Sequence, residues 1–272
     1  MPVDPSAAIA PTARVHPHAH IGPQTIIGEY CVIESDVSIG AFCRLEPYVL
    51  VRRWTALGDR NEVSAGAVLG ADPLDKAFRG ERSYLRIGSG NRICEHFTVS
   101  RGTQPESETV IGDGNFIMTS GHIAHNCRLG DNTVICSCAL IAGYVEIEDQ
   151  AFLSGAVSVH QHSKIGRLAM ISGNARVNQD APPFFLYAGF DIQPRGLNLV
   201  GLKRAGFDPR DIYTLKQAYR LLYRSGLKLE DALRRIETEI PTEHTLHLVR
   251  FIRSSRRGIC RSRCRRFWRL QR

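Results

Sequence analysis

An aliphatic residue recurs at every sixth position over most of this chain. From Ile9 to Val177, 26 of the 29 positions in this series are Ile, Val or Leu, and the exceptions are Asp75, Glu81 and Pro105. Neither an α-helix nor a flat amphipathic strand needs a period of six. A solenoid with three short faces per coil does need it, because each face then contributes one inward-facing residue per six. The period therefore predicts a β-solenoid with three repeats per coil and between nine and ten coils.

Two polar stretches interrupt this series without changing its phase, at about 72–86 and 102–110. Loops inserted into a repeat array tend to mark the binding face. We therefore predict that residues 1–183 form one solenoid domain with two inserted loops. Residues 184–261 are predicted to form a second, smaller domain.

The period becomes helical in this second domain. Asp208 followed by Pro209 is typical of a helix N-cap and first turn, and Gly226 is typical of a helix end. Two further helices are predicted at about 229–239 and 242–255. The predicted fold class is mainly β, with a small C-terminal α-helical domain.

The formal net charge of +8 originates at the C-terminus. Residues 253–272 contain nine Arg and no acidic residue, and without them the chain has 26 basic and 27 acidic residues. Nucleic-acid binding needs a basic face on the fold or a recognisable module, and the sequence indicates neither. We predict a disordered basic tail at 262–272 that makes at most peripheral contact with a membrane.

Hydropathy and the N-terminal residues favour a cytoplasmic protein. No apolar run approaches the roughly 20 residues of a transmembrane helix. Residues 1–10 lack both the charged leader and the long apolar stretch of a secretory signal.

The eight cysteines do not follow the spacing of a disulfide framework or a metal site. Cys31, Cys43 and Cys127 lie four places after an aliphatic residue of the series, in a slot that Ala also occupies. Cys136 and Cys138 are too close together for a Cys-X-X-Cys motif. We expect reduced, unreactive thiols, as is usual in the cytoplasm.

One column of the predicted solenoid combines a base with a backbone donor. With three repeats per coil, Gly143 lies over His125 and Gln161 lies over Gly143. Because Gly143 has no side chain, its N–H stays accessible beside the imidazole. Such a pair can deprotonate a hydroxyl while the N–H binds the oxyanion that forms. His122 and His160 lie close to this column in sequence.

A second column consists of small residues, and it predicts a groove. Ser137, Gly155 and Gly173 follow one another at intervals of one coil, which is three repeats. Neighbouring strands of a sheet are about 4.8 Å apart, so these residues would leave a continuous groove along the solenoid axis. A groove of this kind suits an extended acyl chain.

Two other kinds of chemistry are less well supported. A zinc site built by His122 and His125 lacks a third histidine, so no metal is predicted. Cys127 lies two residues from His125, as a nucleophile paired with a base would. However, its slot in the repeat directs the thiol into the core.

Four motifs extend this picture along the chain, and all four have counterparts in one family. They are HIAHNC at 122–127, VHQ at 159–161, QDAPP at 179–183 and NLVGLKRAGF at 198–207. Together they resemble the hexapeptide-repeat acyltransferases, in particular the UDP-N-acetylglucosamine O-acyltransferases. The resemblance implies a left-handed parallel β-helix and a homotrimer with active sites between subunits.

The implied reaction begins lipid A biosynthesis. An acyl chain, of the 3-hydroxyacyl type, passes from acyl carrier protein to the 3-hydroxyl of UDP-N-acetylglucosamine. No cofactor is implied beyond the phosphopantetheine that the donor carries.

The resemblance also implies roles for individual residues. His125 matches the general base, and Gly143 matches the backbone N–H that polarises the thioester carbonyl. Gly173 matches the position that limits acyl length. Substrate contacts are implied for Asp75, His122, His160 and Gln161 on the acceptor sugar, for Asn198 on the uridine side, and for Arg204 on the phosphopantetheine arm.

The chain departs from the family pattern at four positions on the acceptor side. Ala77 stands where the family usually has Lys, Tyr144 where it has His, Val200 where it has Glu, and Ala205 where it has Arg. Two alternatives therefore stay open at this stage. They are N-acylation of a UDP-diamino-sugar, and a non-catalytic solenoid that only binds its ligand.

Overall fold

The chain folds into a three-sided prism of short strands that is followed by four helices. The computed structural model describes residues 3–261. The basic tail predicted at 262–272 lies outside the described residues. No helix between residues 3 and 261 is long and apolar enough to cross a membrane.

The three sides of the prism are sheets that the chain visits in turn. The first sheet contains β1 (Ala8–Ile9), β4 (Ile26–Ile27), β7 (Arg44–Leu45), β10 (Glu62–Val63), β13 (Arg92–Ile93), β16 (Phe116–Ile117), β19 (Val134–Ile135), β22 (Phe152–Leu153), β25 (Met170–Ile171), β27 (Phe185–Ala188) and β28 (Gln193–Leu197). The second contains β2 (Arg14–Val15), β5 (Val32–Ile33), β8 (Leu50–Val51), β11 (Val68–Ala71), β14 (Thr98–Ser100), β17 (His122–Ile123), β20 (Leu140–Ile141), β23 (Ser158–Val159) and β26 (Arg176–Val177). The third contains β3 (His20–Ile21), β6 (Ser38–Ile39), β9 (Thr55–Leu57), β12 (Tyr84–Ile87), β15 (Glu108–Ile111), β18 (Arg128–Leu129), β21 (Glu146–Ile147) and β24 (Lys164–Ile165).

Turns of four residues join the sheets and form three corners. The first corner joins the first sheet to the second, as at 136–139. The second corner joins the second sheet to the third, as at 124–127, and the third corner closes the coil, as at 130–133. The first sheet therefore spans the first and third corners and lies opposite the second corner.

The register explains why the loops do not disturb the repeat. Paired residues are 18 apart in most coils, as in Leu140 with Ser158. The separation is 30 across the first loop, in Glu62 with Arg92, and 24 across the second, in the pair formed by Thr98 and His122. The loops thus add twelve and six residues, which are whole multiples of the repeat. Because these residues build no coil, the 26 strands β1–β26 make between eight and nine coils. The parallel bridges of Val3 with Ile21 and of Ile165 with Ala181, together with β27, extend the stack to between nine and ten coils.

Both loops are shorter than predicted. The first occupies 72–83 and the second 101–107, because the residues that follow each loop pair as β12 and β15. Each loop leaves the second sheet and enters the third, so both lie at the second corner.

The repeat positions behave as the period predicts. Every aliphatic residue of the series from Ile21 to Val177 is buried, and so are Cys31, Cys43 and Cys127 in the small-residue slot. The third residue after the aliphatic one has a positive φ at most corners, and Asn126, at φ 60°, is an example. The turn is therefore set by the backbone, and its outward side chains can vary.

The C-terminal part begins as a continuation of the first sheet. Strand β27 pairs in parallel with β25, and β28 returns antiparallel to it. The helices that follow are α1 (Leu199–Arg204), α2 (Pro209–Tyr223), α3 (Leu229–Glu239) and α4 (Glu243–Ser254). Asp208 caps α2 by accepting from the N–H groups of Arg210 and Asp211. Helices α2 to α4 lie where the sequence predicts them, whereas β27, β28 and α1 had no periodic signal.

Candidate active site

The second corner brings His125 and Gly143 together as the repeat predicts. Strands β17 and β20 pair in register, so the two residues occupy equivalent places in adjacent coils. A Cβ atom placed on Gly143 would lie 2.5 Å from Cε1 and 2.7 Å from Nε2 of His125. Only glycine leaves room for the imidazole at this position, and the ring therefore covers the backbone of Gly143.

The backbone of Gly143 offers an unused donor. Its carbonyl accepts from His162 N, while its N–H donates to no acceptor among residues 3–261. The flanking N–H groups of Ala142 and Tyr144 are both engaged with neighbouring coils. A free N–H beside a histidine is the arrangement that stabilises an oxyanion next to a base.

Asn126 determines which nitrogen of His125 carries the proton. Asn126 Oδ1 accepts from the backbone N of Thr103 at 3.1 Å and lies 3.0 Å from His125 Nδ1. Because a backbone N–H can only donate, the atom facing it must be the amide oxygen. Nδ1 of His125 therefore donates its hydrogen, and Nε2 keeps the lone pair that a general base needs.

The second loop closes a network around this base. Thr103 Oγ1 donates to Asn126 Oδ1 at 2.9 Å and lies 3.1 Å from the hydroxyl of Tyr144. The Tyr144 ring is edge-on to His125, with ring centroids 5.3 Å apart, and stacks on His162 at 4.8 Å. Asn126 and Thr103 were not predicted as site residues. Their only sequence signal is that one follows His125 directly and the other lies in an inserted loop.

The other predicted acceptor contacts lie at the same corner or on the adjoining edge of the second sheet. His122 Nδ1 is 2.7 Å from Thr98 Oγ1, and its buried Nε2 has no partner among the described residues. Burial lowers the pKa of His122, and the charge of His125 adds to this shift. A hydrogen bond that the ring donates to the backbone of Thr98 opposes it. His160 and Gln161 are exposed one coil above Gly143.

Asp75 lies in the first loop, at this same corner. Its Oδ1 accepts from Ala77 N at 2.9 Å, which is a local turn of the loop. Its other carboxylate oxygen accepts no hydrogen bond from residues 3–261 and remains available to a ligand.

The column of small residues is open, but it lies at the first corner. A Cβ atom on Gly155 would approach no described atom closer than 3.5 Å, and one on Gly173 would come no closer than 3.4 Å. Ser137 accepts a hydrogen bond from Thr119 Oγ1 below them. The whole width of the second sheet separates this column from His125 in the same chain.

Asn198 and Arg204 line a third region, a cavity of about 700 Å³ between α1 and the first sheet near the third corner. The side chain of Asn198 is already engaged, because Oδ1 caps α1 at Gly201 N and Nδ2 donates to Leu168 O. Val200 and Ala205, two departures from the family pattern, line the same cavity and make it apolar on that side. They were predicted on the acceptor side, but within one chain they lie across the prism from His125, because the first sheet is opposite the second corner.

Cys127 is unsuited to nucleophilic chemistry. Its thiol donates to Ala142 O inside the prism, and burial raises its pKa to about 12. The cysteines of residues 3–261 are all free thiols. In the same part of the chain no three His, Cys, Asp or Glu side chains converge as metal ligands do.

A prism of hexapeptide turns with a histidine over a bare glycine defines the class of hexapeptide-repeat transferases. A model of bacterial transferase hexapeptide repeats matches residues 108–143. A second model, of UDP N-acetylglucosamine O-acyltransferase domain 2, matches residues 180–260.

Known proteins extend this match over most of the chain. An acyl-[acyl-carrier-protein]–UDP-N-acetylglucosamine O-acyltransferase of Gloeothece citriformis is 41% identical over 76% of this chain and 75% of its own. That of Thermodesulfovibrio yellowstonii is 40% identical over 85% and 91%. The crystal structure of a UDP-N-acetylglucosamine acyltransferase from Bacteroides fragilis covers 93% of this chain and 99% of its own, with TM-score 0.90 and 36% identity.

The chain belongs to the acyl-[acyl-carrier-protein]–UDP-N-acetylglucosamine O-acyltransferase family. The predicted left-handed parallel β-helix with a small helical C-terminal part is confirmed.

Proposed function

We propose that this chain transfers an acyl group from acyl carrier protein to the 3-hydroxyl of UDP-N-acetylglucosamine, the first step of lipid A biosynthesis. Family membership supports the reaction, and the observation at the centre of it is His125 lying over the unoccupied N–H of Gly143. The donor carries its own phosphopantetheine thioester, so the transfer needs no cofactor bound to the protein. The reaction belongs in the cytoplasm, where both substrates are expected.

The mechanism is a direct transfer. Nε2 of His125 takes the proton of the 3-hydroxyl, and the sugar oxygen attacks the thioester carbon. The carbonyl oxygen becomes an oxyanion that the Gly143 N–H binds. The C–S bond then breaks, and the leaving thiolate takes the proton back from His125.

Acceptor contacts are proposed at the second corner, since Asp75, His122, His160 and Gln161 surround or adjoin His125 there. The carboxylate oxygen of Asp75 that accepts no hydrogen bond from the described residues can bind a sugar hydroxyl directly. Nε2 of His122 also lacks a partner among them, but it is buried, so a hydroxyl reaches it only after the covering groups move. Because both groups lack a partner in the protein, a ligand can supply one.

The donor is proposed to bind at the first sheet. The outward side chains of its later strands form an unbroken apolar ladder in register. The column of small residues lies beside this ladder at the first corner, and the cavity lined by Arg204 lies beside it near the third corner. The ladder consists of Phe116, Val134, Phe152, Met170 and Leu186. An acyl chain laid along Ser137, Gly155 and Gly173 would meet this ladder.

These two half-sites lie on opposite sides of one chain, which supports a homotrimer. When the second corner of one copy packs against the first sheet of a neighbouring copy, His125 of the first copy lies beside the acyl groove of the second. This is a head-to-tail contact, and such contacts form a closed ring when the rotation from one copy to the next closes, as a threefold rotation does. Exposed Lys203, Arg204 and Arg210 give the donor side a basic surface for an acidic carrier protein.

Product analysis tests the reaction. The full chain is incubated with acyl carrier proteins that carry 3-hydroxyacyl chains of several lengths, together with UDP-N-acetylglucosamine and a UDP-diamino-sugar. Mass spectrometry should show UDP-N-acetylglucosamine with one added acyl chain, and Gly173→Met should shift the preference to shorter chains. Acylation of the diamino-sugar alone would overturn the assignment of acceptor.

Mixed assemblies test the shared site. His125→Ala and Arg204→Glu remove groups from opposite half-sites, so each homogeneous variant should have low activity. Co-expressed, the two variants should regain activity, because some interfaces then combine an intact His125 with an intact Arg204. Mixed trimers that stay as inactive as their parents would contradict a site between subunits.

A further inference from the structure

Arg101 is a buried charge at the catalytic corner. Strands β14 and β17 pair Thr98 with His122 and Val99 with Ile123, which places Arg101 one coil below His125. Its side chain is 1% exposed, and it is the largest fully buried side chain among the described residues. Burial lowers the pKa of its guanidinium, and the carboxylate of Asp72 opposes that shift.

The guanidinium is held by rings and one carboxylate. It lies 4.9 Å from the centroid of the Trp54 ring and 5.1 Å from that of Phe78. Nη2 is 2.8 Å from Asp72 Oδ1, although the N–H does not point along that line. Nε and Nη1 also have no hydrogen-bond partner among the described residues. Aromatic faces attract a desolvated cation strongly, so the two rings supply much of what holds this charge.

This contact links the first loop to the prism. Trp54 belongs to the second corner of an earlier coil, whereas Phe78 and Asp72 belong to the loop at 72–83. The hydrogen bonds of residues 74–81 run within the loop itself, for example Ala77 N to Asp75 and Arg79 to Lys76 O. Leu74 at the loop surface is 84% exposed. The end of the loop is held separately, because Ser83 donates to Gly102 O and Arg82 O accepts from Glu106 N. Within residues 74–81, the ring of Phe78 on Arg101 is therefore the main attachment to the rest of the protein.

We propose that Arg101 is a positioning residue, which holds the 72–83 loop through Phe78 so that Asp75 lies within reach of the acceptor. The proposal rests on the proposed function, because Asp75 matters only if a sugar binds beside His125. Asp75 is three residues from Phe78, and Phe78 N donates to Asp75 O at 3.1 Å, so a shift of the ring moves the carboxylate.

Two variants weaken the attachment in different ways. Phe78→Leu keeps an apolar side chain on the loop but removes the ring, and Arg101→Lys keeps the charge but removes the flat guanidinium. We expect the KM for UDP-N-acetylglucosamine to rise about tenfold, comparable to losing one charge-assisted hydrogen bond. The kcat and the donor KM should change less than about twofold, because His125 and the acyl groove are untouched. Phe78→Tyr, which restores an aromatic face, should behave as the unchanged chain.

Arg53→Gln is the matched control. Arg53 also stacks on Trp54, at 4.4 Å, but it is exposed and makes no hydrogen bond, ion pair or ring contact with residues 72–83. Its loss removes a positive charge from the same ring, so an acceptor KM raised equally by this variant would overturn the role of Arg101. If Arg101→Lys fails to fold, Phe78→Leu decides, since its side chain is only half-buried.

Limited trypsin digestion provides a readout that does not depend on activity. Lys76 and Arg79 are exposed within the loop, and cleavage there requires the loop to leave its place. Peptides ending at these residues should appear faster in Phe78→Leu than in Arg53→Gln. Unchanged cleavage together with an unchanged acceptor KM would overturn the proposal. An absence of product from the unchanged chain would instead contradict the proposed function, while the digestion would still report on the attachment.

Discussion

The second and third corners are built from the same turn and serve opposite purposes. At the third corner, side chains close the turn N–H groups in a ladder that runs from coil to coil. Its bonds are Ala41 N to Asp59, Asp59 N to Ser89, Ser89 N to Asp113, Asp113 N to Asp131, and Asp131 N to Asp149. At the second corner the equivalent N–H of Gly143 has no hydrogen-bond partner among the described residues, and the imidazole of His125 packs against the glycine.

A second ladder runs inside the third corner. Asn61, Asn91, Asn115 and Thr133 are all buried, and each bonds its neighbour through backbone and side chain. The comparison teaches that the coil itself decides neither stability nor chemistry. The same backbone turn stabilises the fold where Asp, Asn and Ser side chains accept hydrogen bonds from its N–H groups. It is a candidate reaction site where one N–H group is left without a partner.

The largest expected effect comes from removing the base of the second corner. His125→Ala should lower kcat by about 10²–10⁴, the usual contribution of a general base. Steady-state kinetics with saturating substrates measures this change. His96→Asn, which alters an exposed histidine of the first corner, is the control. A comparable loss in both variants would mean that the corners do not differ.

Adding a single methyl group at the second corner should have the second-largest effect on the rate. In Gly143→Ala the new Cβ would lie 2.5 Å from His125 Cε1, so the imidazole must move. Displacement of a reacting group by about 1 Å can cost on the order of 10² in rate, and kcat should fall by about that factor. Gly155→Ala, whose Cβ has 3.5 Å of room, serves as the control for folding in thermal unfolding. Retention of full activity by Gly143→Ala would sink the oxyanion role.

The third corner should respond in stability instead of rate. Asn91→Ala leaves its buried neighbours in the ladder without partners, which should cost about 2 kcal/mol of unfolding free energy. The folded enzyme should keep its kcat, because no substrate group is near. Denaturant unfolding checks the first expectation, with the exposed Asp131→Ala as a milder companion. A kcat that falls in Asn91→Ala at unchanged stability would break the distinction between the corners.

Two thiols give the smallest and most local test. Cys127 turns inward at the second corner and its pKa is about 12, whereas Cys138 is exposed at the first. Since the thiolate is the reactive form, iodoacetamide at pH 8 should modify Cys138 and leave Cys127 intact. In guanidinium the thiol of Cys127 regains an ordinary pKa and should react. Alkylation of Cys127 in the native protein, detected by peptide mapping, would contradict the burial of its thiol.

Much of the candidate active site at the second corner could be predicted because the repeat is local. The placement of Gly143 over His125 needs only a constant coil of three repeats, and that holds from β15 onward. The same rule fails across the loops, where it would place residue 107 below His125. The structure places Arg101 there instead, because the second loop adds six residues. Counting repeats therefore could not predict the contacts of Thr103 with Asn126 and of Phe78 with Arg101.

The amino-acid sequence by itself determined the prism, its inward residues and the pairing of His125 with Gly143, since all three follow from a period that each coil repeats with its nearest neighbours. Counting 18 residues per coil already assigned His125 and Gly155 to different columns, but it did not show what lies between the two columns. Tertiary structure decided that they occupy opposite edges of one sheet, the second. It also decided the tautomer of His125 and the attachment of the first loop, because both depend on partners that insertions bring from outside the repeat.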